Sequence, residues 1–269
     1  MQGCNDSDRS FLRWAGSKRK LLPVLTEHLP REFNQYIEPF AGSACLFFRL
    51  RPQKGILGDI NTDLIETFRE VKYRYSAVAT QLHKLKKSKR IFLQLRSLEP
   101  QTLSSSARAA RFIYLNRCCF NGIYRTNLKG QFNVPYGGDR SGELPSANNL
   151  RSCSKSLKTA ELNNADFETT LSRARRGDFV YLDPPFSVKA RRVFKEYGAN
   201  IFGQHQLTRL RAWLERLADS RIRFLVSYAE SSEAEVLSKG FHSRLVPIRR
   251  HIAGFSASRA PSTEMLIYN

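Results

Sequence analysis

The segment Phe179-Val-Tyr-Leu-Asp183-Pro184-Pro185-Phe186 has the make-up of a site that grips a planar amine. An apolar run in extended pattern delivers a carboxylate to the end of a strand. Each following proline fixes φ and lacks an N–H. The turn therefore offers carbonyl acceptors and no competing donors at Pro184 and Pro185. A carboxylate beside a carbonyl suits an exocyclic –NH₂ group, and Phe186 could stack on the ring that bears it. The same residues would also make a plain, rigid strand-ending turn.

Three further segments carry chemistry. Tyr36-Ile-Glu38-Pro39-Phe40-Ala41-Gly42-Ser43-Ala44 reads as a strand, a turn of small residues and a helix start. Such a turn lets backbone approach a bound nucleoside or amino acid. Seventeen residues after Gly42 comes Asp59, closing Ile56-Leu57-Gly58-Asp59. An acid at that strand end suits a ribose diol. G-x-G-x-x-G and the phosphate-binding G-x-x-x-x-G-K-[ST] are both absent. Near the start, Phe11-Leu-Arg13-Trp14-Ala15-Gly16-Ser17-Lys18 sets an aromatic and a lysine around a tight turn. The run Tyr114–Gly137 interleaves aromatics, amides and arginines with glycine turns. Arginine reads guanine edges bidentately and asparagine reads adenine, while an aromatic fills the gap where a base leaves the helix. A glycine-rich hairpin with satisfied asparagines is the alternative for that run.

Positioning these groups calls for an α/β sheet. Short apolar runs predict buried strands at Tyr36–Phe40, Gly55–Asp59, Phe179–Asp183, Arg223–Ser227, Arg244–Ile248 and Met265–Tyr268. Helical patterns lie between them, as in the apolar positions 207, 210, 214 and 217 of Leu207–Leu217. Alternating strands and helices give a mostly parallel sheet whose ligands sit outside the strand carboxyl ends. From Thr62 to Lys158 the patterns are helical, with Ser104–Arg108 reading as a linker or helix start. The predicted organisation is one α/β domain, residues 1–61 and 159–269, with residues 62–158 as a mostly helical insertion.

Charge narrows the partner. The 269 residues carry 44 Lys and Arg against 24 Asp and Glu, a net charge of +20. Self-repulsion on that scale points to a polyanionic partner. Arg69–Arg90 holds a dense basic run that includes Lys86, Lys87 and Lys89. Hydrophobic residues at 41% are enough for a packed core. No apolar run approaches a bilayer span, the first ten residues lack a signal-type apolar stretch, and five cysteines form no CxxC pair. A reducing cytoplasm, no metal and no membrane contact are the expectations, with a monomer as the working assumption. The five histidines show no ligand spacing, which disfavours a metal-dependent nuclease.

Taken in order along nearly the whole chain, these segments resemble the Dam-type DNA adenine-N6 methyltransferases. The resemblance rests on Trp14-Ala-Gly-Ser-Lys18, Glu38-Pro-Phe-Ala-Gly-Ser-Ala44, Asp59-Ile-Asn61-Thr-Asp-Leu-Ile65, the Phe120–Gly137 loop, Asp183-Pro-Pro-Phe186 and the closing Glu264–Asn269. It implies a Rossmann-like class I methyltransferase sheet with helices on both faces. It also implies methyl transfer from S-adenosylmethionine to a flipped adenine in double-stranded DNA, at a GATC-like site. By the same resemblance Trp14, Lys18 and Asp59 hold the cofactor, with Asp59 on its ribose. Glu38, Phe40, Gly42, Ile60, Asp166, Phe167 and Asp183 complete the cofactor set. Asp183, Pro184, Pro185 and Phe186 form the catalytic box, Phe120 and Asn121 fill the space left by the extruded base, and Arg125 contacts a neighbouring base pair. The remaining DNA set is Arg13, Asn116, Arg117, Gly122, Asn127, Asn133, Pro135, Tyr136, Lys189 and Arg191, and the insertion is the target-recognition domain. Two positions depart from the family: its second turn glycine is Ala44 here, and its DPPY tyrosine is Phe186. Methylation of cytosine N4, an RNA base or a glutamine side chain is the alternative reaction, and a catalytically dead DNA-binding regulator the alternative class.

Overall fold

The computed structural model describes residues 9–185, 202–248 and 262–269. A 3₁₀ turn at Lys18–Leu21 runs into α1 (Leu22–Glu27). There follow β1 (Tyr36–Glu38), α2 (Cys45–Leu50), β2 (Gly55–Asp59) and a helical stretch of α3 (Thr62–His83), α4 (Lys89–Ser97), α5 (Ser105–Cys118) and α6 (Ala147–Leu157). The chain then returns through β3 (Ala160–Asn164), α7 (Phe167–Leu171), β4 (Phe179–Leu182), α8 (Gln204–Asp219), β5 (Arg223–Ala229), α9 (Ser232–Ser238), β6 (His242–Ile248) and β7 (Ser262–Tyr268).

The strands form one seven-stranded sheet in the order β3-β2-β1-β4-β5-β7-β6. β3, β2, β1, β4 and β5 run parallel, and β7 is antiparallel to both β5 and β6. Side-chain alternation sorts the strand residues onto two buried faces. Tyr36, Leu57, Phe179, Tyr181 and Leu225 face a core shared with α3, α5 and α6. Ile37, Ile56, Val180, Leu182, Phe224 and Val226 face α7 and α8. Covering both faces is what lets the parallel strands read as continuous apolar runs.

Strand limits follow from local chemistry. β1 stops at Glu38, short of the expected Phe40, because Pro39 has no N–H to continue the ladder. β4 stops at Leu182, one residue before the expected Asp183. β3 was not legible: Ala-Glu-Leu-Asn-Asn is an edge strand with mostly half-exposed residues and no apolar run. α8 buries Leu207, Leu210, Leu214 and Leu217, the face its spacing defines.

The helical stretch leaves the sheet after β2 and rejoins it at β3. Its first helix is capped by Asn61, which accepts from Leu64 N at 3.1 Å. α3 kinks at Arg74, where φ is −134° and ψ 35°. Before the kink it packs on the sheet layer, with Phe68 edge-on to Phe11 at 5.5 Å. Beyond the kink Val78 and Leu82 join the same buried cluster as Phe92 and Phe112, so the apolar core is continuous from one part to the other. Ser104, read as a linker or helix start, is the N-cap of α5, which is buried on nearly all sides. Among the described residues, no helix is long and apolar enough to cross a membrane.

Candidate active site

The chain order reverses between β1 and β4, and the cleft at such a switch point opens at the strand carboxyl ends. Three strands deliver acids there: β1 ends on Glu38, β2 on Asp59, and β4 leads into Asp183. They line a single cavity of about 510 Å³, which fits a nucleoside-sized ligand. Trp14, Lys18, Phe40, Gly42, Ile60, Asp166, Phe167, Pro184 and Pro185 share its walls. Every expected cofactor residue therefore lines one cavity. Phe186, Lys189 and Arg191 lie outside the described residues.

At the Asp183 end, Lys18 Nζ donates to Oδ1 of Asp183 at 2.6 Å. Lys18 is buried, and its ammonium also bonds the Gly16 carbonyl at 3.3 Å and lies 3.5 Å from Glu264 Oε2. Besides lining the cavity, Lys18 thus grips the acid of the proline box, a task its expected place among the cofactor residues did not include. A buried ammonium needs an anionic partner, and Asp183 is the nearer one. The β4–β5 register sets Leu182 beside Val226, which brings the Ser227 hydroxyl 3.4 Å from Oδ1 of Asp183. Tyr181 OH in turn meets Ser227 Oγ at 2.9 Å. Among the described residues, Oδ1 is therefore held from two sides. Burial pushes the Asp183 carboxyl above the usual aspartate range, and Lys18 pulls it partly back. Glu38, deeper in the site, is pushed well up by burial, with Tyr36 OH donating to it at 2.9 Å.

At the other end, Gly42 sits at φ +46°, and a Cβ there would meet the Trp14 ring at 3.1 Å. Only glycine lets the turn lie against the indole. Ala44 also occupies the left-handed region, at φ 49° and ψ 39°. An L-residue bears a cost of about 1–2 kcal/mol there, so the alanine keeps the geometry of the turn under strain. Asp59 braces the same turn: Oδ2 accepts from Gly42 N at 3.0 Å and Oδ1 from Asn61 N at 2.9 Å. Burial raises its carboxyl, and these N–H groups oppose that. Phe40 stacks on Phe167 at 5.3 Å, and Phe202 caps Phe40 edge-on at 5.7 Å. Asp166 caps α7 and pairs with Arg209 at 2.7 Å, while the guanidinium of Arg209 covers the Phe167 ring at 4.9 Å. Phe202, Gln206, Arg209 and Ser227 carried no signal of a place in the site, and Tyr181 and Glu264 were legible only as strand residues. They reach the site only through strand register and the return of α8.

The Phe120–Gly137 loop lies beside this cavity. Trp14 stacks on Tyr124 at 5.9 Å and 11°, and Tyr124 OH donates to Asp63 at 2.9 Å. The loop is a short two-stranded turn, marked by isolated bridges Cys119–Tyr136 and Thr126–Phe132. Asn121 (φ 55°) and Gly122 (φ 65°) turn the chain sharply, and Ala15 N donates to Gly122 O at 3.1 Å. Arg125 Nε donates to Asn133 Oδ1 at 2.8 Å, so Asn133 aims the arginine. Asn127 closes the turn, its Oδ1 accepting from Lys129 N and Gln131 N. Phe120 and Tyr136 are half-buried and Pro135 is exposed. Arg13 donates to the Arg140 carbonyl at 2.6 Å, and Arg117 to the Glu143 carbonyl.

Asn116 departs from the expectation. It is 1% exposed. Its Oδ1 accepts from Arg13 N at 2.8 Å and its Nδ2 donates to Arg13 O at 2.6 Å. Both amide atoms are spent on backbone, so this asparagine fixes the amino-terminal segment and presents nothing to a base.

The family model of the D12 class N6 adenine-specific DNA methyltransferases matches residues 14–251. The chain belongs to that family. The methyltransferase is 34% identical over 270 residues to the type II methyltransferase M1.LlaDCHI of Lactococcus lactis subsp. cremoris, covering 97% of this chain and 95% of the relative. It is 31% identical over 268 residues to the DNA adenine methylase of Escherichia coli K12, covering 96% and 94%. To the type II methyltransferase M.MjaIII of Methanocaldococcus jannaschii it is 31% identical over 267 residues, covering 91% and 92%. The protein is thus a site-specific DNA adenine methyltransferase, and membership implies S-adenosylmethionine as the methyl donor. Among the described residues, no group of three or more His, Cys, Asp or Glu is placed to hold a metal ion.

Proposed function

We propose that Asp183 and the Pro184 carbonyl take the exocyclic amine of an adenine flipped out of double-stranded DNA, and that the shared cavity holds S-adenosylmethionine. The observation that carries this is the anchoring of Asp183 in the cavity that also contains Gly42 and Asp59: among the described residues Oδ1 is held by Lys18 and Ser227, and the reading gives Oδ2 to the substrate. The cavity fits the donor. Phe40, Phe167 and Phe202 make an apolar slot for a purine, Asp59 stands ready for ribose hydroxyls, and the Gly42 turn admits close backbone approach.

When bound, S-adenosylmethionine supplies an electrophilic sulfonium methyl. Adenine N6 is a poor nucleophile because its lone pair is delocalised into the ring. Accepting both N–H bonds, at Asp183 Oδ2 and the Pro184 carbonyl, localises that pair and aims it at the methyl. Methyl transfer leaves a cationic nitrogen, and its proton passes to Asp183 or to water. Positioning of this kind supplies about 7–11 kcal/mol of barrier lowering. Extrusion of the base costs a few kcal/mol, which phosphate contacts from the basic surface offset. Residues 62–158 serve as the target-recognition region, with Arg125 reading a base edge and Phe120 and Asn121 occupying the vacated stack.

The decisive experiment is Asp183→Ala in a radiolabelled-methyl assay, with DNA binding measured alongside. Loss of transfer with binding kept is expected, and retained turnover overturns the assignment. Identifying the methylated nucleoside separates adenine N6 from other amines. Modified-base sequencing of DNA from an expressing, methylation-free host then gives the recognition site and tests a GATC-like sequence.

A further inference from the structure

We infer that Glu264 is a positioning residue for methyl transfer, acting on Asp183 through Lys18. The inference rests on Asp183 being the amine acceptor. Glu264 is 1% exposed at the strand-end side of β7. Its backbone is fixed from both sides, opposite Ala229 of β5 and Val246 of β6. Lys18 Nζ lies between the two acids, 2.6 Å from Asp183 Oδ1 and 3.5 Å from Glu264 Oε2. One ammonium therefore bridges the proline box to the last strand of the sheet.

The arrangement has a chemical consequence. A lysine bonded to Asp183 alone would withdraw charge from the carboxylate that must attract the adenine N–H. A second carboxylate on the far side of the ammonium divides that pull, so Asp183 keeps its acceptor strength and stays anchored. Glu264 also fixes where Nζ sits, and hence which oxygen of Asp183 is left to the substrate. Among the described residues, the other ionisable groups around Asp183 are Glu38 from β1, Cys45 from α2, Asp59 from β2 and Tyr181 from β4. None of these supplies a second cation, so the Lys18–Glu264 pair sets the balance. Burial and the Glu264 charge both push the Asp183 carboxyl up, against Lys18.

The test uses the full chain with S-adenosylmethionine and duplex DNA. Glu264→Gln keeps shape and removes charge. The single-turnover methyl-transfer rate should fall roughly tenfold, and the midpoint of its acidic limb should move down by about one pH unit, since an opposite charge no longer offset depresses a carboxyl on that scale. Cofactor and DNA dissociation constants should stay within about twofold, a split that general destabilisation does not produce. In a Lys18→Met background the same substitution should add no further slowing, because the ammonium that Glu264 positions is gone. Glu264→Asp, which keeps the charge, should hold the midpoint near that of the parent even if Glu264→Gln fails to fold. An unchanged rate and midpoint in Glu264→Gln, a midpoint shift in Glu264→Asp, or equal slowing with and without Lys18 overturns the inference. Failure of the underlying reading is separable: it appears as turnover in Asp183→Ala, whatever Glu264 does.

Discussion

Lys18 Nζ lies 2.6 Å from Asp183 Oδ1, joining an amino-terminal turn to the end of a strand 165 residues away. Lys18 is 4% exposed and Asp183 24%. Removing one member of such a pair leaves an uncompensated buried charge, at a cost of about 3–5 kcal/mol. Lys18→Met should therefore lower thermal stability markedly and cut methyl transfer together with it. Calorimetric melting beside a single-turnover assay checks both. Full stability with only cofactor affinity lost would restore the simpler view of Lys18 as a cofactor ligand.

The raised carboxyls set the pH behaviour. Asp183 starts from an ordinary value of 3.8 and is moved up by burial. Its acceptor form is thus reached later as pH rises, and the acidic limb of the rate should lie above the ordinary aspartate range. For stability the sign is opposite to that of a salt-bridged acid. A carboxyl whose folded value is raised contributes stability below its unfolded value and loses it as pH climbs through the folded one. Glu38, raised well above 4.5, is the strongest case. Melting temperature should decline as pH rises above about that point, and Glu38→Gln should flatten the decline. A variant whose profile parallels the parent would exclude Glu38 as its source.

Gly122 offers a conformational test. It holds φ +65°, and a Cβ there would lie 2.7 Å from Arg13 Cγ and from the Arg13 carbonyl oxygen. Gly122→Ala should push the amino-terminal segment off the loop and weaken DNA binding by well over the roughly 1 kcal/mol that backbone strain alone costs. Cofactor binding, which the proposed reading assigns to the cavity of Gly42 and Asp59, should change far less. Calorimetry with cofactor and a DNA titration separate the two, and equal losses in both would argue against this division.

Much of the candidate site, the residues that share one cavity, was legible because its patterns are local. Asp183 with its prolines, Gly42 in its turn and Asp59 at a strand end are all short-range patterns, and a proline stop or a strand-end acid needs no tertiary knowledge. Strand β3 escaped because Glu161, Asn163 and Asn164 give an edge strand no apolar run. Ser227 and Glu264 escaped for a different reason. Their roles arise from register, as Val226 aligns with Leu182 and Glu264 with Ala229, and register is invisible in a single chain segment. Asn116 looked like a base reader by type, yet burial turned both its amide atoms to the Arg13 backbone.

In the proposed function, the basic surface divides its labour between affinity and specificity. Lys86 and Lys89 are exposed, whereas Lys87 is paired with Glu143 at 2.6 Å. A lysine already countered by a carboxylate releases fewer DNA counterions. Neutralising Lys86 and Lys89 together should reduce the slope of log affinity against log salt by about 1.8, at roughly 0.9 per phosphate contact. Neutralising Lys87 should change it less. The loss should be alike for cognate and random duplexes. Arg125 is aimed by Asn133, and a bidentate contact to guanine is worth about 1–3 kcal/mol of discrimination. Arg125→Ala should therefore weaken cognate DNA selectively while leaving the salt slope nearly intact, and Asn133→Ala should follow it in part. Salt-dependent titrations on both duplexes measure each quantity. Equal loss on cognate and random DNA for Arg125→Ala would assign that arginine to the phosphate backbone instead.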